Sequence, residues 1–479
     1  MNFKDERVSL KNKLFYGLGA LGLNLTTGLF GAWTLTFYIR IIGLDPLLWA
    51  FAWLGYLIWN AINDPIFGLL SDRTRTKYGR RIPYLMVGGP LLSISFVFVY
   101  LTPLDFEQLG YFLWLLITLI IYDSFFTIVG LNFNALMPDL TINPQERAHL
   151  NLFAGIGGGI GLSTTYILPI LLLNYEAPSF SQNLPTFLII VIITAVLGAI
   201  FIAFTSFGIK EPPELVPRTL EKLDLIFATK ATLKNKAFLT FVIFNFMMTY
   251  VVYAIQSNLP FYMDDVIGVS GDDIFSQFPL IFFILFSIIG YPFGLYLNKI
   301  QGNKRAVFYL SIIVVIGFIL ITFANDVIFA NISFMILGFG YSGQTLLVYT
   351  LLADVIDKDE LETGQRREGA YFGINALITK PAQSVSAMMS GLIFLLTNYN
   401  QDLGLGEVQP LGAIIGIKML IGLIPGLLII IGLISLWYYP LDGITKEYQE
   451  MKNKVKLLHD EKVEELKTLL SQRNKKTDK

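Results

Sequence analysis

The sequence WNAINDPIFGLLSDRTRTKYGRR, residues 59–81, begins inside a long apolar run and ends in a dense basic loop. Asn60, Asn63 and Asp64 lie in the apolar part of this stretch. A carboxylate surrounded by hydrocarbon costs about 2.5 to 3.5 kcal/mol on membrane-insertion scales, so an acid there indicates a functional role. If the helix ends near Ser71, Asp64 lies about 10 Å from that end at 1.5 Å per residue. We therefore expect Asp64 to be desolvated but reachable from the nearer aqueous face.

Apolar runs of membrane-spanning length recur along the whole chain. The 479 residues are 54% hydrophobic and only 15% charged, whereas soluble domains carry about 25% charged residues. Repeated runs of about 20 apolar residues are typical of a polytopic α-helical membrane protein. The predicted spans are 14–39, 47–70, 83–102, 110–137, 150–173, 186–207, 237–261, 274–298, 305–324, 327–353, 369–396 and 411–438. The predicted fold class is all-α, with twelve transmembrane helices.

Basic residues alternate between the predicted loops. The loops after spans 2, 4, 6, 8 and 10 contain Lys and Arg, and those after spans 3, 5, 7, 9 and 11 contain none. The positive-inside rule then predicts that both termini are cytoplasmic, in an inner or plasma membrane.

The longest loop divides the chain into two halves that look like weak repeats. Asp72 and Arg80 follow span 2 much as Asn298 and Lys304 follow span 8. Two pseudo-symmetric bundles around a midline cavity are typical of a rocker-type secondary transporter. We expect a cytoplasmic tail at 1–13, a six-helix bundle at 14–207, a cytoplasmic loop at 208–236, a second six-helix bundle at 237–438 and a charged cytoplasmic tail helix at 439–479.

Polar side chains inside the spans form helical patterns. Asn60 and Asp64 share one helix face, as do Asp123 and Thr127 on span 4, because each pair is spaced i, i+4. Lys380 lies in the middle of span 11, where a Lys requires a counter-charge or water, and Asp64 and Asp123 are candidate partners. A carboxylate with amide and hydroxyl oxygens suits Na⁺, and a buried carboxyl alone suits H⁺. The residues leave both ions open.

Further polar residues complete the predicted sites, although each is also compatible with helix–helix packing. The candidate substrate ligands are Lys380, Asp123, Asn24, Asn134, Trp59, Gln256, Tyr341, Gln344 and Asn375. Charges beside helix ends can form ion pairs that break and re-form between two access states. The candidate gating residues of this kind are Asp72, Arg73, Arg80, Arg81, Asp354, Asp357, Arg366 and Arg367.

Motifs of soluble enzymes are missing from the sequence. No phosphate-binding glycine loop ending in Lys and Ser or Thr occurs. Two His and no Cys disfavour a transition-metal site. We therefore expect no enzyme activity and no cofactor beyond a coupling ion. The expected partners are a small-molecule substrate and the lipid bilayer, with no nucleic acid, and the expected state is a monomer.

Three long segments resemble a known transporter family. They are NDPIFGLLSDRTRTKYGRRIPYLMVGGP at 63–90, FNALMPDLTINPQERAHLN at 133–151 and LLADVIDKDELETGQRREGAYFGINALITK at 351–380. The loop after span 2 resembles the signature of the major facilitator superfamily. Together the segments look like its glycoside–pentoside–hexuronide:cation symporter family, over the chain up to about residue 440. The resemblance implies a cation-coupled symporter, with a sugar as the commonest substrate.

The family's melibiose carriers have a cation site of two acids and an Asn on span 2 and a Thr on span 4. The resemblance puts Asp64, Asn63 and Thr127 at matching positions, and Asn60 at the position of the other acid. It also implies that Lys380 is the family's lysine of span 11.

Three charged sugar ligands of those carriers are absent, because Asn24, Gly130 and Gly155 occupy their positions. The loss keeps a second hypothesis open, a transporter of a lysophospholipid or another amphiphile, which the family also contains. A third hypothesis is a non-transporting membrane sensor or scaffold whose charged tail binds a partner.

Overall fold

A computed structural model provides the structure of the chain. It describes residues 8–74, 76, 78–141, 144–173, 180–211, 232–268, 279–364, 367–403 and 407–458. Within these ranges the regular structure is helical, which confirms the all-α prediction. Most of the predicted central loop, residues 212–231, and the tail beyond residue 458 lie outside the described residues.

Six long helices form the amino-terminal half. They are α1 (Leu10–Thr36, continued by a π-helical turn at Phe37–Ile41), α2 (Pro46–Arg73), α3 (Ile82–Tyr100), α4 (Gln108–Leu140), α5 (Pro144–Leu172) and α6 (Leu184–Gly208). Capping explains where α2 begins: Asp45 Oδ1 accepts the backbone N–H of Leu47 at 2.8 Å, and Pro46 occupies the first turn.

The carboxy-terminal half repeats this arrangement. Its helices are α7 (Lys236–Phe261, continued by a π-helical turn at Tyr262–Ile267), α8 and α9 (together Pro279–Phe323), α10 (Val327–Thr363), α11 (Glu368–Thr379 and Pro381–Leu396), α12 (Leu411–Lys418, Met419–Leu423 and Ile424–Trp437) and a tail helix α13 at 446–458. Pro381 interrupts α11 directly after Lys380, because proline has no N–H to continue the helical hydrogen bonds.

Nine helices among the described residues are long and apolar enough to cross a membrane. The other three predicted spans correspond to α2, to one part of the segment that comprises α8 and α9, and to the interrupted α11. The sequence predicted a loop between α8 and α9, but helical backbone continues to Gly302, where the break is confined to one residue with φ 73° and ψ 167°. These elements together form the twelve-helix membrane bundle that the hydropathy predicts.

The two halves pack closely along two helix pairs, α1 with α7 and α2 with the second part of α11. Trp49 of α2 donates its indole N–H to the carbonyl of Ala387 at 2.9 Å. A Cβ on Gly391 would lie 2.5 Å from the carbonyl oxygen of Pro46, so only glycine permits this approach. We call the end of the bundle near Pro46 and Gly391 the outer end, and the end that bears Arg80 and Arg81 the basic end.

Substituting Gly302 with Ala should destabilise the protein for two reasons. At φ 73° and ψ 167° a residue with a Cβ is strained by about 1 to 3 kcal/mol, and the new Cβ would lie 2.8 Å from Gly443 Cα. Gly268→Ala is the control, because Gly268 has a left-handed helical backbone with φ 69° and ψ 52°, and a Cβ added there would meet no heavy atom of the described residues within 4 Å. We expect a lower melting temperature in detergent for Gly302→Ala than for Gly268→Ala. Equal melting temperatures would show that neither the backbone conformation of Gly302 nor its contact with Gly443 makes a side chain more costly there than at Gly268.

Candidate cation and substrate site

An ion pair joins the two halves in the middle of the bundle. The ammonium of Lys380 on α11 donates to Oδ1 of Asp64 on α2. The hydroxyl of Thr127 on α4 donates to the same oxygen at 3.2 Å. Because α2 and α4 belong to one half and α11 to the other, a separation of the halves here must break or replace this ion pair.

A second carboxylate lies in the same cluster. Asp123 on α4 accepts hydrogen bonds from the amide of Asn63 and, at 2.8 Å, from the hydroxyl of Tyr56. Asn63 also donates to Thr127 at 3.1 Å, and Asn60 donates to Tyr56 at 3.3 Å. The spacing of these α2 residues, four and then three, places them on one helix face towards α4.

Burial differs across the cluster. Asn63 and Asp123 are 0% and 2% exposed, whereas the side chains of Asp64 and Lys380 keep 20% and 30% of their accessible surface. The amide oxygens of Asn60 and Asn63 are buried and have no hydrogen-bond partner in the part of the chain that the structure describes. The cluster therefore combines carboxylate, amide and hydroxyl oxygens, which are the ligands that hard cations prefer.

A cavity of about 340 Å³ lies beside this cluster, between the two halves. Its walls are mainly aromatic, with amides and hydroxyls between the rings. The lining residues are Asn24, Thr27, Gly28, Phe30, Tyr56, Tyr122, Phe126, Leu162, Tyr166, Val252, Tyr253, Ile255, Gln256, Phe283, Phe334, Tyr341 and Gln383. Tyr56 belongs to both cavity and cluster, and Gln383 lies one turn beyond Lys380 on α11, so the two sites are contiguous.

The residues predicted as substrate ligands do not all lie in one place in the structure. Asn24, Gln256 and Tyr341 line the cavity. Trp59 lies on α2 next to the cluster and donates its indole N–H to Ser124 at 3.1 Å.

Lys380 and Asp123 belong to the cluster beside the cavity, and the remaining three predicted ligands belong to neither. Gln344 is fully buried and donates to Ser311 at 2.7 Å, within the carboxy-terminal half. Asn375 accepts from Asn245 at 2.9 Å, also within that half. Asn134 is exposed on α4.

A charged network seals the outer end. The guanidinium of Arg40, which is 7% exposed, donates to Asp264, Asp265 and the hydroxyl of Tyr399. Its Cζ also lies 4.4 Å from the centre of the Phe261 ring. All four partners come from the carboxy-terminal half, so these contacts hold the halves together at this end. We call Arg40, Asp264, Asp265 and Tyr399 the outer seal.

Ion pairs at the basic end join helices within one half. Arg80 donates twice to Asp139 at the end of α4, at 2.7 and 3.0 Å. Arg81 donates to Ser71 at 2.8 Å, and the carboxylate of Glu211 accepts the backbone N–H groups of both arginines at 2.8 and 2.7 Å. The loop after α2 is thus attached to α4 and to the start of the central loop.

The second half contains a corresponding group. Asp354 accepts from Asn303 at 3.0 Å and pairs with Lys452 of α13 at 2.6 Å, and Lys452 also contacts Asp357 at 2.8 Å. Burial lowers the pKa of the Lys452 ammonium, but Asp354 and Asp357 raise it by more. The pKa therefore lies above its ordinary value. Arg367 pairs with Asp359. The predicted gating residue Arg366 and the side chains of Asp72 and Arg73 lie outside the described residues.

Sequence reasoning missed several of these partners. Tyr56 could have been found as the residue one turn before Asn60. Arg40 was detectable as the exception to the charge alternation, an arginine at the end whose loops carry Asp and Glu but no Lys or Arg. Asp139 and Asp359 carried no signal that distinguished them from neighbouring acids.

Comparisons with known proteins identify the kind of protein to which this site belongs. A model of the family described as MFS/sugar transport protein matches residues 15–443. An uncharacterized symporter of Bacillus subtilis is 26% identical, over 88% of this chain and 90% of its own. The glucuronide carrier protein homolog of Escherichia coli is 22% identical, over 93% and 95%. Sodium-dependent lysophosphatidylcholine symporter 1 of Gallus gallus is 23% identical, over 91% and 88%.

Solved structures share the fold. The crystal structure of a D-xylose-proton symporter superposes with a TM-score of 0.66 at 14% identity, and covers 90% of this chain and 97% of its own.

Lys380 occupies the position beside Asp64 that a cation would take, so its removal should favour cation binding. In Lys380→Gln, Asp64 loses the ammonium that pairs with it, and Na⁺ no longer competes with that charge. We expect a larger rise in melting temperature on adding NaCl than in the parent protein.

Choline chloride corrects this measurement for ionic strength. Lys418→Gln is the matched control, because Lys418 contacts the amide of Asn325 rather than a carboxylate. An unchanged response in Lys380→Gln would exclude competition between Lys380 and the cation.

Proposed function

The chain belongs to the MFS/sugar transport protein family, and from this premise we propose that it is a cation-coupled symporter of a sugar or glycoside. Like the other members of this family, it is a membrane transporter and not an enzyme. The observation that carries the proposal is the Asp64–Lys380 ion pair, which bridges the two halves beside a cavity of substrate size.

The cavity supports a sugar-sized solute. Its volume of about 340 Å³ lies at the lower end of the range for small-molecule sites. Aromatic rings such as Tyr253 and Phe126 can pack against the apolar face of a sugar ring. The amides of Asn24, Gln256 and Gln383 can hydrogen-bond its hydroxyls. The glucuronide carrier homolog among the relatives is consistent with this class of solute.

An amphiphile is the second candidate substrate. Rings and aliphatic side chains such as Phe283, Phe334 and Leu162 make most of the cavity wall apolar, and one relative is a lysophosphatidylcholine symporter. Thermal-shift measurements of the purified protein with glycosides and with lysolipids would separate the two, because a ligand of the folded state raises its melting temperature.

Coupling follows from the electrostatics of the ion pair. We infer that a cation binds Asp64 and releases Lys380, which frees α11 to move relative to α2. A bound cation also neutralises the carboxylate, which lowers the free-energy cost of closing a dry cavity around it. The carrier can then reorient when it holds both the cation and the substrate or when it holds neither. Reorientation with only one of the two bound is disfavoured.

The contacts at the two ends support an inward-facing state. The outer seal joins the halves, whereas the ion pairs of Arg80 and Arg367 at the basic end lie within a half. The positive-inside rule assigns the basic end, and with it both termini, to the cytoplasm. We further propose that the protein acts as a monomer in the inner or plasma membrane.

Asp64→Asn should abolish accumulation of substrate against its gradient but retain exchange. The amide keeps the size of the side chain but cannot trade charge with a cation. Uptake into right-side-out vesicles under an imposed Na⁺ or H⁺ gradient should fall to equilibrium, while exchange with preloaded substrate continues. The exposed Asp105→Asn is the control and should accumulate substrate as the parent does. Concentrative uptake by Asp64→Asn would refute the coupling assignment.

Arg40→Gln should open the outer side of the transporter. The substitution removes the charge that holds Asp264 and Asp265 of the other half. The chain has no cysteine, so Ser257→Cys, on α7 between the cavity and the outer seal, gives a single reporter. In right-side-out vesicles, a membrane-impermeant maleimide should label this reporter faster in the Arg40→Gln background.

The same reporter in the Arg305→Gln background is the control, because Arg305 pairs with Asp442 within one half. Equal labelling in the parent and Arg40→Gln backgrounds would show that the outer seal does not determine access.

A further inference from the structure

We propose that Asp123 supplies the second carboxylate of a sodium site whose first carboxylate is Asp64. The inference rests on the proposed function, and it specifies the ion and a ligand that α4 contributes. The remaining ligands are the amide oxygens of Asn60 and Asn63 and the hydroxyl of Thr127. Position 60 on α2 carries Asn rather than an acid in this chain. Asp123 on α4 supplies the second negative charge of the site instead.

Two side chains connect the carboxylates. Thr127 donates to Asp64 at 3.2 Å and accepts from Asn63 at 3.1 Å. The same amide nitrogen of Asn63 donates to Asp123. The carboxylates are therefore separated by a single layer of hydrogen-bonding groups.

Unsatisfied acceptors give independent support for a bound cation. Asn63 is fully buried and Asn60 is 5% exposed, yet neither amide oxygen has a hydrogen-bond partner among the described residues. The nitrogens of the same two amides donate to Asp123, Thr127 and Tyr56, so both side chains belong to the cluster. A buried acceptor without a partner is costly, and a cation ligated by both oxygens would remove that cost. A proton on Asp64 could satisfy at most one of the two oxygens, because a protonated carboxyl carries a single O–H donor.

Charge balance favours one monovalent ion. Two ionised carboxylates and the ammonium of Lys380 leave one net negative charge in a poorly solvated region. One Na⁺ that replaces Lys380 at Asp64 leaves this net charge unchanged, whereas a divalent ion would change it by one unit.

The test moves the carboxylate between two positions of the cluster. Purified parent protein, Asp123→Asn, Asn60→Asp and the double variant are titrated with NaCl at constant ionic strength with choline, and the melting temperature is recorded. Asp123→Asn should lower the apparent Na⁺ affinity by at least about tenfold, and Asn60→Asp should raise it. The double variant should recover the response of the parent, because the number of carboxylates is restored. Asp105→Asn serves as the control.

Each outcome decides between two roles of Asp123. A structural role would lower the melting temperature of Asp123→Asn in choline and leave the double variant without a Na⁺ response, which would overturn the proposal. A parental Na⁺ affinity in Asp123→Asn would also overturn it. If Asp123→Asn alone does not fold, the double variant decides: a parental Na⁺ response supports the proposal, whereas a stronger response or none overturns it.

Failure of this inference can be distinguished from failure of the proposed function. If Na⁺ stabilises no variant but a proton gradient drives Asp64-dependent uptake, the sodium site is wrong and cation coupling stands. If no cation gradient drives uptake, the proposed function itself is wrong.

Discussion

The ion pair between Asp64 and Lys380 is the interaction on which the proposed mechanism depends. A carboxylate or an ammonium alone among apolar helices would carry a large desolvation cost, and each offsets the cost of the other. Because the partners lie on different halves, the same electrostatics that makes the charges tolerable also links the halves. Whatever ion replaces Lys380 at Asp64 therefore changes how the halves are held together.

The bundle is held differently at its two ends, and the proposed inward-facing state rests on this asymmetry. At the outer end, Arg40 pairs with Asp264 and Asp265 across the interface, in a region with little exposure. At the basic end, Arg80 and Arg367 pair within their own halves. Arginine–aspartate pairs thus join the two halves at the outer end and connect helices within each half at the basic end. Rigid halves with one breakable seal are what a rocking motion requires.

The proposed cation and substrate sites share a wall, and this contiguity is the structural basis on which we propose that they are coupled. Tyr56 lines the cavity and donates to Asp123, and Gln383 lines it one turn beyond Lys380. A solute that displaces either side chain alters the hydrogen bonds around the carboxylates. Reciprocity then requires that an ion at the carboxylates alters the affinity for the solute. The largely aromatic wall favours solutes with an apolar face.

The sequence by itself determined the membrane class and the helical architecture, and it singled out Asp64 as a charge within an apolar span, because hydropathy and the cost of a buried charge are properties of short segments. It also indicated Lys380 as a charge in need of a partner. Tertiary structure decided which partner it has, and it brought Asp123 to Asn63, a residue 60 positions away. It also gave Arg40 its role through contacts more than 200 positions along the chain. Such pairings depend on how helices that are distant in the sequence pack together, and no local pattern of residue types encodes that packing.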